Sequence, residues 1–335
     1  MSIVLVTGGS GFIAAHIIRT LLQNSYTVVT TVRSPAKGNN VLTSHADISN
    51  GKLSYLVVSD ITNPKAFEHV FRRGIPFSAV FHTASPFHDN FVDPVEGLLK
   101  PAISGTKNIL HAIKAYAPTC KRVVITSSFA AIVNPNRPPK IYDESSWNPV
   151  SWDEAVTDRT KAYRGSKTFA ERAGWEFVQA EKPGFDLVTI NPPLVYGPVV
   201  HHLSTLNNLN TSNQRIRDFI QGRYSMQALP PTGTFLWVDV RDVALAHMRA
   251  IQVPEAGNKR FFVVAGHCSN KRICDVIRQT HPKLSSLLPD NAIDDFPRDV
   301  YGYNNARAQD ILGVKFRPLE ECIKDTAASL LDLGA

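Results

Sequence analysis

Cysteine is scarce in this chain. Cys120, Cys268, Cys274 and Cys322 are the only four, with no Cys-x-x-Cys among them. That excludes a disulfide framework or a cysteine zinc site and fits reduced thiols in a cytoplasmic protein. Metal motifs are equally thin. No His-Glu-x-x-His occurs, and His201-His202 lacks partners at a recognised ligand spacing, so no metal is expected. No apolar run approaches the ~20 residues that span a bilayer. Residues 186–200 come nearest, but Asn191, Pro192, Pro193, Gly197 and Pro198 interrupt them. The apolar opening lacks the basic n-region of a secretory signal, so neither a leader nor a membrane partner is expected. The net charge is +7, yet no lysine and arginine cluster is as dense as a nucleic-acid-binding tail. A solvated surface with a site for an anionic cofactor is the simpler reading. Repeats and low-complexity tracts are also lacking. The 335 residues, 43% hydrophobic, suffice for a large core in one or two domains.

What is present begins at the first strand. Ile3-Val4-Leu5-Val6 reads as a buried parallel strand. Gly8-x-x-Gly11-x-x-Ala14 follows, and then Ile13, Ile17, Ile18, Leu21 and Leu22 recur at helical spacing. In this strand–turn–helix, Gly8 allows the tight turn and Gly11 lets the backbone approach a pyrophosphate. Ala14 lets the helix pack close to the strand. Free N–H groups and the dipole at the helix N-terminus favour the anion.

A second strand, 26–32, ends in Arg33-Ser34-Pro35-Ala36-Lys37. An NAD site needs an acid near this end to accept from the ribose 2′-OH. None lies between Tyr26 and Asn40; Arg33 and Lys37 stand there instead, cations suited to the 2′-phosphate of NADPH.

Further strands are expected at 53–58, 79–84, 122–128 and 185–191, the last stopped by Pro192-Pro193. Short strands follow at 235–238 and 261–265. Helices are expected from near Pro64, over 103–115, from Tyr163 to Val178, over 240–251, and near 270–280, 304–312 and 319–333. Residues 134–157 read as an irregular loop over the site, and 199–231 as a polar insertion walling a pocket. Strands alternating with helices imply an α/β fold, a doubly wound parallel sheet of Rossmann type with right-handed crossovers.

Tyr163 and Lys167 are four apart, so a helix presents them on one face. The hydroxyls of Ser127 and Ser128 lie about 35 residues earlier, at the end of a strand where ligands of parallel sheets bind. Tyrosine alone is a poor acid near neutral pH, its unperturbed pKa being about 10. A neighbouring ammonium stabilises the phenolate. Tyr163 then serves as general acid to a carbonyl oxygen, while a serine donates a second hydrogen bond to the developing alkoxide.

Thr7-Gly8-Gly9-Ser10-Gly11-Phe12-Ile13-Ala14, Thr126-Ser127-Ser128, Tyr163-x-x-x-Lys167 and Val238-Asp239-Val240-Arg241-Asp242-Val243-Ala244 together resemble the extended short-chain dehydrogenase/reductase family. His82-Thr83-Ala84-Ser85-Pro86-Phe87, Tyr142-Asp143-Glu144-Ser145-Ser146-Trp147 and residues 191–198 resemble its dihydroflavonol-4-reductase-like branch. Within that branch the nearest likeness is to fungal NADPH-dependent aldehyde/ketone reductases of the yeast methylglyoxal reductase type.

The resemblance implies Ser128 as the catalytic serine, with Ser127 the alternative, Tyr163 as the acid and Lys167 as its modulator and holder of the nicotinamide ribose. It implies Gly8, Ser10, Gly11, Phe12 and Ile13 at the pyrophosphate, and Arg33 and Lys37 at the 2′-phosphate. Asp60 and Ile61 flank the adenine, and Val195 and Ser212 complete the cofactor site. Phe87, Phe129, Leu194 and Tyr224 are candidate pocket walls, each equally well read as ordinary packing. Two departures stand out. Ala102-Ile103-Ser104-Gly105 replaces an Asn-Val-x-Gly stretch, so a relay through that asparagine is ruled out, and Ala14 replaces the third glycine.

The expected organisation is a dinucleotide-binding domain (1–192 with 232–254) and a smaller α/β substrate domain (193–231 with 255–335). The protein would act as a monomer or homodimer on a small carbonyl compound. A nucleotide-sugar epimerase or dehydratase, which prefers NAD, and a catalytically silent NADP-binding regulator are the competing readings.

Overall fold

The computed structural model describes residues 2–85 and 92–335. β1 (Ile3–Thr7), α1 (Phe12–Gln23) and β2 (Thr27–Val32) open the chain. α2 (Pro35–Ser44) and α3 (Ala46–Ser49) lead to β3 (Leu53–Val57), α4 (Glu68–Phe71) and β4 (Phe77–His82). α5 (Lys100–Tyr116) precedes β5 (Arg122–Thr126). Next come β6 (Ile141–Tyr142), α6 (Trp152–Thr157), α7 (Arg159–Glu181) and β7 (Asp186–Asn191). β8 (Leu194–Tyr196), α8 (Thr211–Ile220), β9 (Leu236–Asp239), α9 (Val240–Gln252) and β10 (Lys259–Phe262) follow. β11 (Gly266–His267), α10 (Asn270–Thr280), β12 (Gly302–Tyr303), α11 (Ala306–Asp310) and α12 (Leu319–Asp332) close it. No helix among the described residues is long and apolar enough to cross a membrane.

The large sheet is parallel throughout, in the order β3-β2-β1-β4-β5-β7-β10. Its strands read as continuous apolar runs because both faces are buried. Successive side chains point to opposite faces. Val4, Val6, Val124, Val188 and Ile190 join a cluster with α1 and α9, whereas Leu5, Val123, Ile125 and Leu187 join one with α5 and Phe177 of α7. Strand order reverses between β1 and β4, and a crevice opens at the carboxyl ends of strands beside such a reversal.

The smaller unit has its own sheet, β11-β9-β8, and a third cluster. Tyr196, Ile216, Phe219, Ile273, Ile277, Ile323 and Leu330 fill that cluster from β8, α8, α10 and α12.

Several boundaries differ from the sequence reading. Residues 255–335 are assigned there wholly to the smaller unit, but β10 pairs with β7 and becomes the edge strand of the large sheet. Ala308, Leu312 and Val314 pack on that sheet too. Arg33 to Lys37 reads as a tail, yet α2 starts at Pro35; Ser34 caps it by accepting from Lys37 N, and proline sits in the first turn. The segment 134–157 is not wholly irregular, since Ser151 and Glu154 form a capping box that starts α6. Asp158 then caps α7, which begins at Arg159 rather than Tyr163. Pro192-Pro193 ends β7, but β8 follows at once and pairs with β9.

Candidate active site

The glycine turn is shaped by close approach. Gly8 has φ +72°, and a Cβ there would lie 3.0 Å from the Ala84 backbone. A Cβ on Gly9 would lie 2.0 Å from Thr30 Oγ1, so this position tolerates no side chain. Gly9, which had no role of its own in the expected turn, is thus as constrained as Gly8, and the Gly8-Gly9 doublet is its signal in the sequence. Gly11 is the N-cap of α1, with no capping side chain and no acid in the first turn. The helix start is left open to an anion at Ser10, Phe12 and Ile13.

Arg33 and Lys37 are exposed beside the N-terminus of α2, and neither side chain makes a hydrogen bond or ion pair among the described residues. Asp60, expected at the adenine, is exposed and accepts from Thr62 N and Oγ1, both at 2.8 Å. It closes a turn after β3. Ile61 lies against Gly105, where a Cβ would come within 2.7 Å of Ile61 Cδ1. Val195 and Ser212 are brought together: Val195 N donates to Ser212 Oγ at 3.2 Å. The glycine cradle, the open helix start and the free cations fit an NADP-type cofactor.

At the end of β5 the two serines separate. Ser127 is 6% exposed and donates to Glu171 in the interior. Ser128 caps a short helical turn, accepting from Ala130 N at 3.1 Å, and is hydrogen-bonded to Tyr163. Lys167 follows one turn further along α7. A small cavity beside it is lined by His82, Ser85, Thr106, Thr126, Ser127 and Glu171. Thr7 Oγ1 and His82 Nδ1 are 2.9 Å apart, which ties the ends of β1 and β4.

Burial dominates the electrostatics. It raises Tyr163 above the ordinary phenol value, against the bond from Ser128. Against the expectation that Lys167 lowers Tyr163, the influences at Tyr163 are burial, which raises it, and the Ser128 hydroxyl, which lowers it. Burial also lowers Lys167 to about 8, opposed by the charge of Glu171.

The pocket candidates fare unevenly. Phe129 is 4% exposed, stacked on Phe262 at 5.3 Å and edge-on to Tyr142 at 5.2 Å, so it is first of all a core ring. Leu194 and Tyr224 are half-buried against the third cluster, Tyr224 edge-on to Phe219. Phe87 lies outside the described residues. Glu171 and Arg260, absent from the sequence reading, occupy the centre of the buried polar network beneath the serines.

A parallel sheet with a glycine turn at its first strand and a crevice at the reversal of strand order defines a Rossmann-type dinucleotide-binding protein. Residues 4–265 match the model of the NAD dependent epimerase/dehydratase family. The chain belongs to that family, the extended short-chain dehydrogenase/reductases. A ketoreductase of Aspergillus niger, azaE, is 48% identical over 98% of this chain and 97% of its own. The NADPH-dependent methylglyoxal reductase GRE2 of Saccharomyces cerevisiae is 37% identical over 98% of both chains. The crystal structure of yeast methylglyoxal/isovaleraldehyde reductase Gre2 complexed with NADPH superposes with a TM-score of 0.92, at 36% identity and 99% coverage of both.

Proposed function

We propose that this protein is an NADPH-dependent carbonyl reductase that converts an aldehyde or ketone to an alcohol. The observation that carries the reading is the hydrogen bond between Ser128 and Tyr163, with Lys167 one turn away, at the crevice where strand order reverses. The names of the similar reductases support it.

Gly8, Ser10, Gly11, Phe12 and Ile13 would hold the pyrophosphate, and Arg33 and Lys37 the 2′-phosphate. Asp60 and Ile61 would flank the adenine, Lys167 would hold the nicotinamide ribose, and Val195 and Ser212 would complete the site. NADPH supplies the hydride when bound. Ser128 and Tyr163 donate hydrogen bonds to the substrate carbonyl oxygen and stabilise the negative charge that develops on it. An acid must carry its proton until it is needed, and burial keeps Tyr163 protonated at neutral pH. Tyr163 then delivers that proton to the oxygen, and the Lys167 ammonium stabilises the phenolate left behind.

Four free, buried cysteines support a cytoplasmic setting. Tyr163→Phe keeps the ring and removes only the donor; turnover should nearly vanish while NADPH affinity, followed by fluorescence titration, stays roughly intact. Retained kcat would remove Tyr163 from the chemistry. Absorbance of NADPH mixed with wild-type protein and an aryl ketone separates the rivals. Turnover marks a reductase, tight non-exchanging cofactor an epimerase, and binding without turnover a regulator.

A further inference from the structure

Glu171 has no part in the chemistry just described, yet five side chains reach its two oxygens. It is 1% exposed. Ser127 donates to Oε2, as does Asn191 Nδ2 at 2.7 Å. Arg260 Nε at 2.6 Å, Thr189 Oγ1 at 3.1 Å and Trp175 Nε1 at 3.3 Å donate to Oε1. The donors come from the end of β5, from β7, from α7 itself and from β10. A buried carboxylate is costly unless charge and hydrogen bonds compensate it, and here both do. Arg260 is committed in turn: Nη1 donates to the carbonyls of Glu144 and Ser146, and its guanidinium lies 3.8 Å over the Trp147 ring. One ion pair therefore connects α7 with the loop between β6 and α6.

Helical spacing sets Tyr163, Lys167 and Glu171 in one row along α7. We propose that Glu171 is the positioning residue of this row. It holds the ends of β5 and β7 against α7, so that Ser128 meets Tyr163, and it places a fixed negative charge behind the Lys167 ammonium. This inference rests on the roles assigned above to Ser128, Tyr163 and Lys167.

The surroundings of Lys167 make the charge testable. Facing it are Tyr163 and Glu171 from α7, His82 from β4, Ser85 just after it, Thr106 from α5, Thr126 from β5 and Ser127 just after it. Burial lowers His82 to about 3, with the Lys167 charge acting the same way, so this imidazole is neutral at working pH. Among these described residues Glu171 is the one anion. Arg260 stands behind it, and its charge becomes unopposed once the carboxylate is removed. Burial and that unopposed charge then draw Lys167 below its present value of about 8.

Glu171→Gln keeps the shape and one acceptor oxygen, removes the charge, and sets an NH2 donor against the donors that reach the other oxygen. Its kcat should fall roughly tenfold at pH 7, about twofold from the lowered Lys167 and the rest from the loosened ties that position Ser128 against Tyr163. The alkaline limb of its pH profile should move down by about one unit, the shift a nearby opposite charge typically supports. NADPH affinity by fluorescence titration should change by no more than a few-fold, because Lys167 is one of many proposed cofactor contacts and those at the pyrophosphate and 2′-phosphate are left intact. Glu171→Asp keeps the charge and shortens the reach. Its alkaline limb should stay at the wild-type position while kcat falls, and this variant carries the test if Glu171→Gln does not fold. An unmoved limb with wild-type kcat in Glu171→Gln overturns the proposal, as does a limb in Glu171→Asp displaced as far as the Gln variant's. Full turnover by Tyr163→Phe would overturn the underlying chemistry itself. An inactive Tyr163→Phe beside an unaltered Glu171→Gln would overturn the role of Glu171 alone.

Discussion

On the β5–β7 side of the cleft, Ser127, Ser128, Asn191 and Glu171 have hydrogen-bond partners before any ligand is considered. On the β1–β2 side, Arg33 and Lys37 stand exposed beside the α2 N-terminus with no side-chain partner among the described residues. The first side is preorganised: its polar groups were desolvated during folding, so the reaction need not reorganise them. The second forms its interactions only when a charged ligand arrives, in water, where salt screens them. Substitutions on the built side should therefore change kcat, and those on the open side should change KM and its salt dependence.

The widest separation should come from the two serines. Ser128→Ala should lower kcat roughly 10²–10³-fold, the usual cost of deleting one donor to a developing oxyanion. Ser127→Ala should cost only a few-fold, because it cuts one tie to Glu171 and leaves the donor in place. Steady-state kinetics on both variants decides it; a reversed order of losses would show that Ser127 is the donor, and equal losses would show that Ser128 is not singled out.

On the open side the expected effect is smaller and confined to one cofactor. Arg33→Asp should raise KM for NADPH about ten- to a hundredfold, because it removes a charge-assisted hydrogen bond and adds repulsion. Use of NADH should be unchanged or improved, since aspartate can accept from a ribose 2′-OH. If NADH and NADPH weaken alike, Arg33 is structural and the cofactor argument fails.

Lys37→Ala should give the smallest change, a loss of several-fold in KM for NADPH only. That loss should shrink as salt rises from low to several hundred millimolar, whereas the Ser128→Ala defect should stay constant. Parallel salt responses of the two variants would erase the contrast between the sides of the cleft.

What could be read in the sequence follows the same division between local and distant. The β1–glycine–α1 unit lies within consecutive residues, where strand and helix periods repeat over short distances. Tyr163 and Lys167 fall on one face because 3.6 residues make a turn, whatever the rest of the chain does. The missing acid after β2 points to the 2′-phosphate by the same kind of local count. The start of α2 at Pro35 was signalled by Ser34-Pro35, but the weakly apolar stretch behind it, with Gly38, Asn39 and Asn40, obscured the helix.

Other features depended on which elements the fold brings together. Ser127 and Ser128 differ only in what lies opposite each, and α7 supplies both partners from residues at least 35 positions away. Gly9 is required because β2 brings Thr30 against it, and Gly38 because β3 brings Tyr55. Asp60 became a turn cap because Thr62 folds back on it. The Glu171–Arg260 pair joins residues 89 positions apart, and it exists only because β10 returns to the large sheet to lie beside β7. By itself the sequence determined the elements and the spacing of groups within each, since backbone geometry acts over a few residues. Tertiary structure alone decided which serine meets Tyr163 and which carboxylate stands behind Lys167, because those contacts arise from strand order and burial, and neither is a property of any short stretch of chain.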